Sequence, residues 1–187
     1  MLNTLHIAGV ENMVMEISSH SLDMHRVEDV DVNTAIFSNL SEEHLDFHGN
    51  MESYFKSKLK LFTTLNKKHT AIINIDDSYS GRIISKTKAN IVTYGMNNNA
   101  DLYPLKKRYE LDGTRAQLKY NNFDFSVESN LVGEYNLYNL MAAIAVCLKM
   151  DIIPENIINA LKQPVIIPGR LEFIPSKVPG KIYIDYA

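Results

Sequence analysis

Thr70-Ala71-Ile72-Ile73-Asn74, followed by Ile75-Asp76-Asp77, is the stretch that decides the fold. Its apolar run is too short for a helix, shows no polar alternation, and gives way at once to acidic residues. That pattern reads as a strand buried on both faces, with a polar loop at its carboxyl end. Working outward, Thr34-Ala35-Ile36-Phe37-Ser38-Asn39 and Asn90-Ile91-Val92-Thr93-Tyr94-Gly95 read the same way, and so does Val14-Met15-Glu16-Ile17 running into Ser18-Ser19-His20. Apolar bursts separated by helical patterns predict an α/β protein with a mostly parallel sheet flanked by helices. Ligands collect at the carboxyl ends of such strands. Ser18, Ser19, His20, Asn39, Asn74, Asp76 and Asp77 all fall at or just past those ends, which is the first pointer to a site.

Between Asp101 and Leu131 the pattern changes to short alternating runs, with Asp112-Gly113 and Asn121-Asn122 as turns. Two or three antiparallel strands follow from it, a small antiparallel portion beside the parallel sheet. A helix is expected from Asn136 to Lys149, another from Glu155 to Lys162 after Pro154, and a last strand over Lys181–Asp185. Neither repeats nor low-complexity linkers interrupt the chain.

The 187 residues suffice for one cored domain. With 19 basic against 22 acidic residues, the net charge of −3 gives a nucleic-acid or membrane-surface partner no electrostatic support. No apolar run reaches the roughly 18 residues of a membrane span, and a single cysteine, Cys147, excludes an internal disulfide framework. A cytoplasmic, reducing location is the expectation.

Two local patterns carry chemistry. Asn50 is placed to cap a helix from Met51 to Leu65 whose apolar face holds Met51, Tyr54, Phe55, Leu59, Leu61, Phe62 and Leu65. Lys58 falls in the middle of that face, whereas Lys56 and Lys60 fall outside it. A lysine there either reaches the surface along its own stem or acts as a functional amine made neutral by burial. A neutral amine can attack carbon dioxide, and the resulting carbamate behaves as a carboxylate. The second pattern is Ser41, expected to cap a short helix with Glu42 and Glu43 in its first turn, followed by His44, Asp46 and His48. These residues read either as an exposed helix with histidines at its end or, with Glu16 read inside an apolar strand as a buried carboxylate needing a partner, as a set suited to a divalent cation. No Gly-x-x-x-x-Gly-Lys-Ser/Thr occurs, since Pro175 stands where Gly180-Lys181 would need a first glycine.

Seven segments in order over nearly the whole chain resemble the Mur ligase family, and within it the UDP-N-acetylmuramoyl-tripeptide synthetases. They are Met15–Leu22, Asn39–Gly49, Tyr54–Phe62 with Lys58, Asn74–Asp77, Gly133–Asn136 with Asn139, Gly169–Glu172, and Asp185–Ala187. The resemblance implies an ATP-dependent ligase that joins an amino acid to UDP-N-acetylmuramoyl-L-Ala-D-Glu through an acyl phosphate, with magnesium as cofactor and ATP as co-substrate. It implies that Lys58 is carbamylated and catalytic, that His44 is catalytic and that both bind magnesium with Glu16. Asn136 and Asn139 would contact the adenine, Arg170 and Asp185 the ribose and phosphates, and Ser18 and Arg26 the muramoyl-dipeptide. Met24 stands where a polar substrate contact is expected.

The same resemblance makes residues 1–187 a truncated middle domain, without the UDP-binding lobe, the phosphate-binding loop and its strand, or the carboxyl-terminal lobe. Such a piece is expected to be inactive alone and to self-associate through exposed sheet surface. Alternative readings are another Mur ligase or a folylpolyglutamate synthetase, a metal-dependent hydrolase using Glu16, His44, Asp46 and His48, and a catalytically dead nucleotide-binding module.

Overall fold

The computed structural model describes residues 2–43, 45–170, 172–177, 179–180 and 182–186. Its first half runs α1 (Leu2–Ile7), α2 (Ser19–Asp23), β1 (Thr34–Phe37), α3 (Leu45–His48), α4 (Met51–Thr64), β2 (Thr70–Asn74), α5 (Ser80–Ile84) and β3 (Asn90–Tyr94). Then follow β4 (Leu102–Glu110), β5 (Gly113–Tyr120), β6 (Phe123–Ser129), α6 (Glu134–Lys149), α7 (Pro154–Leu161), β7 (Glu172–Ile174) and β8 (Ile182–Ile184).

Strands β1 to β6 lie side by side in sequence order. β1, β2 and β3 are parallel, with Thr34 opposite Thr70 and Thr70 opposite Asn90. β4 continues in parallel beside β3 through Tyr94 and Leu102, and β5 and β6 then fold back antiparallel. β7 and β8 form a separate antiparallel hairpin. The parallel sheet and its antiparallel extension over 101–131 are therefore as the sequence predicts. The two turns of that extension also fall as expected, and Asn121 takes the positive φ of 52° that such a turn requires.

All five residues of β2 are buried, and their alternation separates two cores. Ile72 joins Val92, Tyr94, Leu102 and Leu118 beneath Leu137, Met141 and Ile144 of α6. Ala71 and Ile73 point the other way, onto Phe37 of β1, Phe55 and Phe62 of α4, and Ile83 of α5. Helices thus cover both faces, which is what an uninterrupted apolar strand demands. In α4 the cap is Asn50, whose Oδ1 accepts the Ser53 N–H at 2.9 Å, and Tyr54, Phe55, Phe62 and Leu65 are buried along the predicted face.

Two expectations fail. Residues 11–18 form no strand: Val14 is 94% exposed, and Glu16 lies exposed in the same extended run. A strand persists only where a neighbour satisfies its peptide groups, and among the described residues β1, the edge of the sheet, pairs with β2 alone. Glu16 is therefore not the buried carboxylate its apolar neighbours suggest. Nor does Ser41 open a helix, since α3 begins at Leu45. Residues 38–40 are held as a loop because Asp77 Oδ2 accepts the Leu40 N–H at 2.8 Å and Asn74 Nδ2 donates to the Ser38 carbonyl at 2.7 Å.

Gly113, at the β4–β5 turn, has φ of 154°, and a Cβ there would lie 2.1 Å from the Ser129 carbonyl oxygen on β6. Gly113→Ala is expected to lower stability by about 1–3 kcal/mol, the usual range for overpacking. Urea denaturation checks this, and an unchanged midpoint would contradict the close approach of β6.

Candidate functional site

A cavity of about 520 Å³ opens between the start of α6, the 164–167 loop and the β7–β8 hairpin. Leu131, Val132, Ile166 and Phe173 supply apolar walls, while Asn136 from α6 and Arg170 from the segment before β7 also line it. The Asn136 amide is oriented by its Nδ2, which donates to the Val132 carbonyl at 2.8 Å. Asn139 sits one turn on, its Nδ2 3.5 Å from Asn136 Oδ1. Arg170 follows Gly169, whose φ of 66° and missing Cβ admit the Tyr186 ring. Asp185, adjacent to that tyrosine, is exposed beyond β8 and is not among the cavity-lining residues. Asn136 and Arg170 are thus brought together, whereas Asn139, beside Asn136 on α6, is not among the cavity-lining residues.

The 164–167 wall has no regular secondary structure. It is held by Asn130, whose Nδ2 donates to the Val165 carbonyl at 2.7 Å and whose Oδ1 accepts the Val165 N–H at 2.8 Å. Tyr183 closes the hairpin side by donating its hydroxyl to the Leu111 carbonyl. Neither residue carries a sequence signal, because each acts on a backbone group far away in the chain.

The start of α6 is tied down at two points. Tyr138 donates its hydroxyl to Asp76 Oδ2 at 2.8 Å, and the same oxygen accepts the Met96 N–H at 2.6 Å. Glu134 receives Lys107 Nζ and the Tyr109 hydroxyl, both at 3.1 Å. The Lys107 bond holds the Glu134 carboxyl below its usual value, while burial and then Glu134 push the Tyr109 phenol up to about 12. Asn74, Asp76 and Asp77, which the sequence offered as ligand-facing residues, are therefore engaged in joining loops to one another.

A second cluster lies where α2 and α3 meet α4. Lys58 is half-buried, with Nζ 5.2 Å from the centre of the Tyr54 ring, so its position on the apolar face is as predicted. Tyr54 stacks on His48 at 5.0 Å. His48 is buried and its Nε2 lies 2.8 Å from Ser19 Oγ. Asp23 Oδ2 accepts the Ser57 hydroxyl at 2.7 Å, and Asp23 Oδ1 accepts Lys60 Nζ at 2.6 Å. Ser18 caps α2, its Oγ accepting the Ser21 N–H at 3.2 Å, and Arg26 is exposed past the end of that helix. The sequence reading missed Asp23, Ser57 and Lys60. Ser57 alone left a trace, as a small polar residue on the inner side of α4.

Among the described residues no three His, Cys, Asp or Glu side chains gather closely enough to hold an ion. Glu16 is exposed, Asp46 follows the first residue of α3, and His48 is turned toward Ser19. His44 lies outside the described residues.

Three comparisons bear on this arrangement. Residues 1–147 match the family model of the Mur ligase middle domain. The UDP-N-acetylmuramoyl-L-alanyl-D-glutamate--2,6-diaminopimelate ligase of Aquifex aeolicus is 41% identical over 186 residues, spanning 100% of this chain and 38% of that protein. The UDP-N-acetylmuramyl-tripeptide synthetase 2 of Oceanobacillus iheyensis is 38% identical over 184 residues, spanning 96% and 37%. Among solved structures, a UDP-N-acetylmuramoyl-L-alanyl-D-glutamate--2,6-diaminopimelate ligase superposes with a TM-score of 0.78 at 32% identity, covering 87% of this chain and 34% of that one. MurF from Acinetobacter baumannii reaches 0.74 at 23% identity, over 82% and 33%, which speaks to the fold alone. The chain thus spans little more than a third of the length of these relatives.

Burial pushes the Asp23 carboxyl up, but the bonds from Lys60 and Ser57 and the charges of Lys60 and His48 outweigh it, and the group sits below its ordinary value. A depressed carboxyl contributes stability that is complete above its unfolded pKa and lost as pH falls through the folded one. Asp23→Asn is expected to cost about 1–3 kcal/mol at pH 7, as for a charged hydrogen bond. In urea denaturation the gap from wild type should close as the pH drops below the ordinary carboxylate range. A gap that persists in acid would contradict the assignment.

Proposed function

This chain belongs to the Mur ligase family, through its middle domain, and on that premise we propose that it is the nucleotide-binding part of an ATP-dependent ligase of peptidoglycan synthesis. The observation that carries the reading is the cavity that brings Asn136 and Arg170 together. Its apolar walls suit a purine, Asn136 offers an amide to the rim of the base with Asn139 assigned beside it by resemblance, and the Arg170 guanidinium suits ribose and phosphate oxygens. Asp185, near the same hairpin, is the proposed acceptor for ribose hydroxyls.

In the proposed reaction the terminal carboxylate of UDP-N-acetylmuramoyl-L-Ala-D-Glu attacks the γ-phosphorus of ATP and ADP leaves. The amine of the incoming amino acid then attacks the acyl carbon, an amide forms, and inorganic phosphate departs. Ser18 and Arg26 are assigned to the muramoyl-dipeptide. Their support is their placement together at the two ends of α2, with Arg26 exposed and able to meet an anion. Lys58 is assigned as the catalytic lysine, carried as a carbamate. Its partial burial beside Tyr54 fits a lysine with a task inside the fold. Magnesium, with Glu16, His44 and Lys58 as its ligands, enters by family resemblance, and His44 is assigned a catalytic part on the same ground. The described residues do not assemble that site, so no step above is routed through the ion.

Alone, a sheet whose β1 edge is unpaired among the described residues, with Ile36 of that strand exposed, is proposed to self-associate. Light scattering checks this, and a monodisperse monomer at high concentration would contradict it.

The functional test is an ATP-dependent ligation assay on the protein at its full natural length, with UDP-muramoyl-dipeptide and magnesium. Arg170→Ala is expected to raise the KM for ATP about tenfold or more, as for a lost charged hydrogen bond, and Lys58→Ala to lower kcat by about a hundredfold or more. Ligation indifferent to both substitutions would sink the reading, and metal-dependent ester hydrolysis without nucleotide would favour the hydrolase.

A further inference from the structure

His48 belongs to no step of the proposed reaction, yet it is among the most enclosed polar side chains of the molecule, with 2% of its side chain exposed. Its ring reaches both ends of α2. Nε2 lies 2.8 Å from the hydroxyl of Ser19, the first residue of that helix, and Nδ1 lies 3.5 Å from Oδ2 of Asp23, the last. A five-residue helix has too few internal hydrogen bonds to stand alone, so its placement is set by what grips its ends. Asp23 in turn is fastened to α4 through Ser57 and Lys60, and His48 itself rests on Tyr54 of α4, whose ring also lies under Lys58.

Hydroxyl, imidazole and carboxylate in this order form the relay of a nucleophilic hydrolase, but Ser19 is 1% exposed and no substrate can reach its oxygen. The arrangement holds rather than attacks. Ser18, next to Ser19 in the chain, is the cap of α2, and any slackness at Ser19 is passed directly to it.

We infer that Ser19, His48 and Asp23 form a positioning brace that fixes the Ser18 turn against the α4 helix bearing Lys58, and thereby sets affinity for the muramoyl-dipeptide. This rests on the ligase reading above, in which Ser18 meets that substrate. The brace acts on one substrate only: the nucleotide cavity lies at α6 and the β7–β8 hairpin, formed by other elements.

A double-mutant cycle in the ligase at full natural length tests this. Ser19→Ala removes one hydroxyl, and His48→Phe keeps a ring on Tyr54 while removing both nitrogens. Each is expected to raise the KM for UDP-muramoyl-dipeptide about fivefold to tenfold, one buried hydrogen bond's worth. The KM for ATP and the magnesium requirement should not move. The double variant should be no worse than the more affected single one, because the two residues act through one contact. If every KM is unchanged and only the maximal rate falls, the trio merely supports folding and the inference is overturned. A shift in the magnesium or ATP dependence of His48→Phe also overturns it, in favour of a metal-site role. Should His48→Phe fail to fold, Ser19→Ala carries the test by the same split. Absence of ligation in wild type, or an unaltered KM in Ser18→Ala, would instead refute the ligase reading or its Ser18 assignment.

Discussion

The molecule is organised by the requirement that β2 be covered on both sides. With all five of its residues buried, a helix layer on one face alone would leave Ile72, or else Ala71 and Ile73, in water. At about 25 cal/mol per Å² of apolar surface, either loss is large beside the few kcal/mol that separate folded from unfolded chains. The two cores follow from this, and so does the position of the candidate sites. α6 must lie across β2 to β4 to close one core, which places Asn136 and Asn139 at the rim of the sheet. α4 must lie across β1 and β2 to close the other, which fixes the side from which Lys58 and Ser57 project. A parallel strand pair also forces every connection to return across the sheet, so the polar loop ends of β1, β2 and β3 are brought to a common edge. There Asn74, Asp76 and Asp77 join them.

Much of the fold was legible because its signals are local. Uninterrupted apolar runs marked β1, β2 and β3, turn residues marked the 101–131 hairpins, and Asn50 marked the start of α4. The segment Val14–Ile17 misled because an apolar run states only that a side chain favours burial; whether a strand forms there depends on a partner that no local pattern reveals. Ser41 misled for a related reason. Its capping chemistry was sound, but the Asp77 and Asn74 side chains, distant in sequence, hold residues 38–40, just before it, as a loop.

Site residues divided along the same line. Asn136 and Arg170 were named through resemblance, and the fold placed them around one cavity. The place of Lys58 on the inner face of α4 was visible from periodicity, while its role came only from the resemblance. Asp23, Asn130 and Tyr183 were not, because their partners, Lys60, Val165 and Leu111, lie far along the chain and their identities encode nothing about those contacts. His48 was noticed as a group that can bind a metal, but sequence cannot show that a serine hydroxyl 29 residues away lies against its ring nitrogen.

Asn130 has a consequence for how the cavity can change over time. It grips Val165 by main-chain N–H and C=O rather than by the side chain, so the anchor is blind to which amino acid other than proline stands at position 165. Substitutions along 165–167 can therefore alter the volume and greasiness of that wall while its path through space stays the same. Drift in the lining and permanence of the frame become separable properties, and an engineer wishing to admit a bulkier ligand would vary the wall and leave the single asparagine untouched.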